Sequence, residues 1–131
     1  MNKPKTTEHA EQAFVISWAR MMEGAYPELR WLHSSLNGIF IPAPLAVRVK
    51  IINHMKAEGM RSGVPDLFLP VARRDYHGLF IEMKIEGGVL SEEQMEFLAF
   101  AEGQKYLDKV CYSADEAVEV LQWYLEKENK P

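Results

Sequence analysis

Two carboxylates and a lysine stand in an unusual setting in this chain. Pro65-Asp66 opens a run of strand-forming apolar residues, a basic turn follows, and a second apolar run carries Glu82-Met83-Lys84. Successive side chains of a strand point to opposite faces, so Glu82 and Lys84 share one face and Met83 takes the other. A hairpin turn centred near Asp75 would set Asp66 opposite Lys84 and one diagonal step from Glu82. Two neighbouring carboxylates, helped by a backbone carbonyl, suit Mg²⁺, a hard cation that keeps several waters and fills its shell from substrate phosphate. A lysine beside them can orient or deprotonate an attacking water, or neutralise charge on a pentavalent phosphate. The chemistry such a trio supports is metal-assisted hydrolysis of a phosphodiester bond.

A Glu-x-Lys triplet also arises by accident, and Glu128-Asn129-Lys130 in the polar tail is such a case. What separates Glu82-Met83-Lys84 is its place between Leu79-Phe80-Ile81 and Ile85, where charged side chains are costly without a purpose. A buried structural ion pair remains the competing reading, since ionic networks occupy strands without catalysing anything.

The elements that must position these residues follow from periodicity. Ala10, Phe14, Ser17, Trp18 and Met21 recur at helical spacing from Glu8 to about Glu23, with Thr7 as cap and Gly24 as stop. Met1 to Thr6 is polar, proline-interrupted and expected to fray. Leu29 to Ser35 reads as a first strand ending at the Asn37-Gly38 turn. Pro42 and Pro44 suit the start of a second helix, with Leu45, Val49, Ile52 and Met55 as its apolar stripe and Arg48, Lys50 and Lys56 on the other face. Val64–Ala72 and Gly78–Ile85 form the arms of the central hairpin, apolar on both faces as befits strands covered by helices. After Gly87-Gly88, Ser91 to Gln94 has the form of a capping box opening a third helix to Gly103. Tyr106 to Ser113 supplies a last strand, and Ser113 to Glu116 a second capping box for a helix carrying Ala117, Val120, Leu121, Tyr124 and Leu125. The order helix, strand, helix, strand, strand, helix, strand, helix, without repeat or linker, predicts one α/β domain over residues 1–131.

Composition bounds the partners. The 131 residues are 47% hydrophobic and 26% charged, enough for one core. Cys111 alone offers neither an internal disulfide nor a cysteine zinc set, which suits a reducing cytoplasm. No leader and no membrane-spanning apolar stretch is apparent, so a soluble intracellular protein without membrane contact is expected. The net charge of −4 argues against a simple basic DNA-coating protein. Yet acids crowd the ends and residues 86–102, while Arg48, Lys50, Lys56, Arg61, Arg73, Arg74, His77 and Lys84 fall between 48 and 84. A site that collects carboxylates for metal looks acidic while its approaches stay basic. His33 and His77 read as surface or turn histidines, Tyr76 and Trp31 as packing residues, and Cys111 as a small buried apolar side chain.

Gly63-Val64-Pro65-Asp66-Leu67, Phe80-Ile81-Glu82-Met83-Lys84, Gly87-Gly88 and Leu90-Ser91 through Gln94 together resemble the signature of the VRR-NUC (virus-type replication-repair nuclease) family in the PD-(D/E)XK superfamily. The likeness runs from Glu8-His9-Ala10-Glu11-Gln12 and Trp18 through Asn37-Gly38 to Tyr112, and is greatest to small stand-alone, phage-type members. It implies a restriction-endonuclease-like core with a mixed central sheet flanked by helices. It implies that Asp66 and Glu82 ligate Mg²⁺ or Mn²⁺, that Lys84 serves the water, and that Gln94 sits beside them. Gln94 has its own structural explanation as the third residue of a capping box, and both readings stand. The resemblance also implies a metal-binding glutamate from the first helix. Taking one residue as about 100° of helix, Glu11 lies nearer the Phe14/Trp18/Met21 face than Glu8, and Glu11 is the expected ligand, Glu8 being explicable as a first-turn acid favoured by the helix dipole. The implied activity is a DNA endonuclease, resembling Holliday-junction resolvases, acting as a homodimer on branched DNA. The alternatives are a nuclease of flaps, single strands or duplex ends, and an idle nucleic-acid-binding module on the same fold.

Overall fold

The computed structural model describes residues 6–126. The accidental triplet at Glu128 to Lys130, and residues 1–5 of the polar start, lie outside the described residues. Helix α1 (Glu8–Met21) opens where the Thr7 hydroxyl accepts from the Ala10 N–H at 3.0 Å. A 3-10 turn at Pro27–Trp31 and the short strand β1 (His33–Ser34) stand where a longer strand over 29–35 was expected. Pro27 begins that turn and takes Leu29 into the core instead of into the sheet. Helix α2 (Leu45–Ala57), strands β2 (Leu67–Leu69) and β3 (Leu79–Met83), helix α3 (Glu92–Gly103), strand β4 (Leu107–Cys111) and helix α4 (Ala114–Leu125) complete the order predicted from sequence.

The four strands form one mixed sheet in the order β1-β2-β3-β4, antiparallel up to β3 and parallel between β3 and β4. A parallel neighbour needs a crossover, and α3 is that crossover. Leu67, Leu69, Leu79, Ile81 and Met83 put their side chains on one face, where Val15 and Ala19 of α1 and Ala117, Leu121 and Tyr124 of α4 close the core. Each such leucine or isoleucine contributes about 1.5–3 kcal/mol by leaving water. The opposite face carries Phe68, stacked on Phe80 at 4.4 Å, and Phe80 meets Phe97 of α3 edge-on at 5.2 Å. Alternation places Asp66, Glu82 and Lys84 on this second face, under the start of α3.

Three details depart from the sequence-based expectation. The hairpin register pairs Leu67 with Ile81 and Leu69 with Leu79, which sets Asp66 opposite Glu82 instead of opposite Lys84. Arg73 pairs with Tyr76 around Arg74 and Asp75, both at positive φ, and the incoming arm spends one residue more than the outgoing arm across Pro70-Val71-Ala72. Proline cannot donate to the ladder, so the extra residue falls there. The partner moves by two residues and the face is preserved, which is why the trio still converges. The α1 face is also rotated: Phe14 is 55% exposed and Met21 73%, while Val15 and Ala19 are buried. Finally, α2 has no buried residue: Leu45 and Val49 of its stripe are exposed, and Ile52 and Met55 are half-buried.

Candidate active site

Asp66 leaves the sheet one residue before β2. Its carbonyl accepts from the Ser35 N–H at 2.9 Å, and its Oδ2 accepts from the Met83 N–H at 2.7 Å, taking the role of a ladder carbonyl past the last paired residues. Glu82, 3% exposed, lies on the neighbouring strand. Its Oε1 accepts from Gln94 Nε2 at 2.9 Å and lies 3.7 Å from Lys84 Nζ. Lys84 is itself buried, its backbone N–H continuing the β3–β4 pairing to the Cys111 carbonyl at 2.9 Å. At Gly88 a Cβ would stand 3.0 Å from the Ile85 carbonyl and 3.5 Å from Lys84 Cδ, so the Gly87-Gly88 turn folds back along the lysine stem.

Gln94 joins the two readings that sequence left open. Its backbone N–H donates to Ser91 Oγ at 3.1 Å and its Oε1 accepts from the Ser91 N–H at 2.9 Å, a complete capping box. Its amide nitrogen is then aimed at Glu82. A single side chain fixes the start of α3 and touches the buried carboxylate.

The electrostatics follow from burial. Desolvation, reinforced by the negative charge of Asp66 and opposed by Lys84, pushes the Glu82 carboxyl up to about 8. Asp66 is also raised, first by burial and further by the charge of Glu8, against the Met83 N–H, the Glu82 hydrogen bond and Lys84. Two carboxylates that resist ionising together are an arrangement a divalent cation relieves. Among the described residues no three His, Cys, Asp or Glu side chains gather as a ready metal cage. The donors present therefore fit a Mg²⁺-type ion, held by few carboxylates and completed by water and phosphate, better than a closed zinc site.

The first-helix glutamates separate. Glu11 Oε1 accepts from the Ala114 N–H at 3.2 Å, at the N-terminus of α4, and its Oε2 accepts from the Thr6 hydroxyl at 3.2 Å. Among the described residues neither Glu8 nor Glu11 gathers with Asp66 and Glu82 as a set of three carboxylates. With Val15 as the centre of the buried face, Glu8 lies about 20° away and Glu11 about 40° on the other side. Choosing Phe14, Trp18 and Met21 as the inward face reversed that order. The charge of Glu8 helps to raise the Asp66 carboxyl.

Sequence reasoning passed over two supports. Asn37 Nδ2 donates to the carbonyls of Arg61 and Val64, both at 2.9 Å, pinning the segment that delivers Pro65-Asp66. Gly63, at φ +91°, passes so close to α3 that a Cβ would sit 2.7 Å from the Glu93 carbonyl oxygen. The Asn37-Gly38 dipeptide signalled only a turn, and nothing in it announces a hydrogen bond to residues 24 and 27 positions away.

The remaining candidates fall outside the cluster. Cys111 is 1% exposed, and burial pushes its thiol up to about 12, as suits an inert packing residue. His33 is exposed, with Nδ1 2.9 Å from the Trp31 carbonyl, and exposed His77 lies against Tyr106. Tyr76 packs on the core, but Trp31 is 59% exposed beside Arg30 and is not the packing residue expected. In the basic turn, Arg73 pairs with Glu28 at 3.3 Å and Arg74 lies over Trp123 at 4.1 Å. The second capping box is only half formed: Ser113 Oγ accepts from the Glu116 N–H at 3.2 Å, but Glu116 Oε2 reaches past Ser113 to the Tyr112 N–H at 2.7 Å.

A mixed sheet with an aspartate before one central strand and Glu-x-Lys on the next defines a nuclease core of the PD-(D/E)XK type. The VRR-NUC domain pattern matches residues 5–115, and the chain belongs to that family. A solved structure described as a VRR_NUC domain protein shares the fold, with a TM-score of 0.69 and 24% identity over 94% of this chain and 91% of the other. Comparison with curated proteins gives no match. Among the described residues no helix is long and apolar enough to cross a membrane.

Proposed function

We propose that this nuclease domain is a Mg²⁺- or Mn²⁺-dependent DNA endonuclease that cuts branched DNA, four-way junctions foremost, as a homodimer. The observation that carries the reading is the meeting of buried Glu82 and Lys84 with half-buried Asp66 and Gln94 on one patch of an otherwise aromatic sheet face. A purely structural Glu82–Lys84 pair would have no use for a second, half-buried carboxylate beside it, which raises the cost of the arrangement.

Asp66 and Glu82 would hold the metal. Glu8 joins them from α1 in this proposal, in place of Glu11, because Glu8 is the first-helix acid whose field reaches Asp66. A bound divalent cation supplies Lewis acidity, polarising phosphoryl oxygens and lowering the pKa of water in its shell. Lys84 orients the attacking water or neutralises charge gathering on the phosphorus oxygens. Gln94 holds Glu82 in place through its amide while its own position is locked by Ser91.

The test compares wild type, Asp66→Ala and Lys84→Ala on a labelled four-way junction, a flap and a linear duplex, with Mg²⁺ or with chelator. Metal-dependent junction cleavage that both substitutions abolish, with DNA binding retained, is the expected result. Undiminished cleavage by Asp66→Ala overturns the site. Preference for flap or duplex over junction overturns the substrate, and absence of any metal-dependent turnover in pure wild type leaves a binding module.

A further inference from the structure

The segment between β1 and α2 is irregular and apolar. Leu36, Ile39 and Phe40 stand in water, Phe40 with 73% of its surface exposed and Ile39 with 41%. A slack loop of this composition would fold back onto the body, because burying such side chains is favourable. Here the backbone holds it out. Ser34 Oγ accepts from the Leu36 N–H at 3.0 Å and Ser35 Oγ from the Asn37 N–H at 3.3 Å. The Ile39 N–H donates to the Leu36 carbonyl at 3.2 Å, and the Asn37 amide grips the carbonyls of Arg61 and Val64. Leu36 is held at φ +66°, a left-handed conformation that costs any residue with a side chain, and Pro42 and Pro44 stiffen the exit. The loop is built to present Ile39 and Phe40.

Its mounting and its charge indicate what it meets. The Ser35 N–H donates to the Asp66 carbonyl at 2.9 Å, so the loop leaves the sheet beside the point where Asp66 enters it. The chain from Ser35 to Phe40 spans at most about 18 Å, which is roughly five steps of a DNA strand at about 3.4 Å each. Between Glu28 and Glu58 there is no Asp or Glu, although the chain as a whole is acidic, and that interval holds Arg30, Arg48, Lys50 and Lys56. Exposed apolar residues in a cationic, acid-free stretch suit a nucleic acid whose bases have parted: the cations face phosphates, and the ring enters a base step, as apolar wedges do where proteins unstack a duplex.

We propose that Ile39 and Phe40 form a wedge that enters a base step near the scissile phosphate and unstacks it. The wedge makes the nuclease favour DNA whose bases part easily, as they do at a branch point, because opening a fully stacked step consumes binding energy that a parted step leaves available. Ile39 and Phe40 are then specificity-determining residues, apart from the carboxylates and the lysine that face the phosphate. The inference rests on the nuclease reading for its substrate and on the loop for its geometry.

The test places 2-aminopurine, which brightens when it leaves the stack, singly at each step within that reach of the branch in a four-way junction, and adds full-length protein in chelator so that nothing is cut. Wild type should brighten one step severalfold. Phe40→Ala, shown to be folded by circular dichroism, should bind without brightening it, and Phe40→Trp should brighten it as wild type does. In Mg²⁺, Phe40→Ala should cleave the fully paired junction at least roughly tenfold more slowly, yet cleave a junction carrying a mismatch at that step nearly as fast as wild type. Brightening by Phe40→Ala equal to that of wild type, or an equal loss of cleavage on paired and mismatched junctions, overturns the wedge. So does a change of oligomeric state in Phe40→Ala, read by light scattering, with the brightening intact, which would assign the loop to a second copy of the chain. A wild type that cuts without brightening any step overturns the wedge alone; one that brightens a step without cutting supports the wedge and overturns the active site.

Discussion

Glu82→Gln should stabilise the metal-free protein in alkaline solution while abolishing metal-dependent cleavage. The Glu82 carboxyl, 3% exposed and beside Asp66, is pushed up to about 8 from 4.5, mainly by burial. The folded chain therefore holds this proton more tightly than the unfolded chain. For a group raised in the folded state, the stabilisation is complete below the unfolded value and is lost as pH climbs through the folded one, so stability from Glu82 falls between about pH 4.5 and about pH 8. Each unit of difference corresponds to about 1.4 kcal/mol. Asp66 shares the proton and Lys84 offsets part of the charge, so roughly 1–3 kcal/mol at pH 8.5 is the expected share of that range. Glutamine keeps the acceptor for Gln94 Nε2 and offers Asp66 a donor, and it cannot ionise. In thermal unfolding followed by circular dichroism in chelator, Glu82→Gln should melt several degrees above wild type at pH 8.5, on the order of 3–10 °C, and near wild type at pH 5. Mg²⁺ should raise the wild-type melting temperature more at pH 8 than at pH 6, because binding displaces a proton, and should not raise that of Glu82→Gln. A variant less stable than wild type at both pH values, or a gap that does not widen with pH, would refute the reasoning.

Three further substitutions probe the first-helix acids and the support at Gly63. Glu8→Gln should lose most metal-dependent cleavage with little change in melting temperature, whereas Glu11→Gln should keep cleavage and lose about 1 kcal/mol, since its carboxylate caps the Ala114 N–H; cleavage assays beside thermal melts decide, and the opposite pattern returns Glu11 to the site. Gly63→Ala puts a Cβ 2.7 Å from the Glu93 carbonyl at φ +91° and should cost about 1–3 kcal/mol, with a fall in turnover greater than any fall in DNA affinity, read by melts and single-turnover kinetics.

The order of elements was legible because it rests on local signals: Thr7 and Ser91 as caps, apolar alternation in the central strands, the Gly87-Gly88 break. The faces of Glu82 and Lys84 were legible because a strand period of two survives a register error. Register itself was not, since it turned on one extra residue around Pro70 that local pattern does not count. The choice between Glu8 and Glu11 turns on a related point. Phe14 and Met21 look like core residues by type, yet the core took Val15 and Ala19, and that rotation by one position moved the nearer glutamate from Glu11 to Glu8. Helix α2 makes the same point outward. Its stripe of Leu45, Val49, Ile52 and Met55 was legible as a periodicity, but Leu45 and Val49 lie exposed while Ile52 and Met55 are half-buried. Hydrophobic pattern reports that a face is apolar; how far it packs depends on where the chain's other surfaces lie, and Asn37 and Gly63 anchor the segment that follows α2. The polar active site and the unpartnered helix are therefore joined by one segment, residues 58–66, anchored at both sides and delivering Asp66 at one end and α2 at the other.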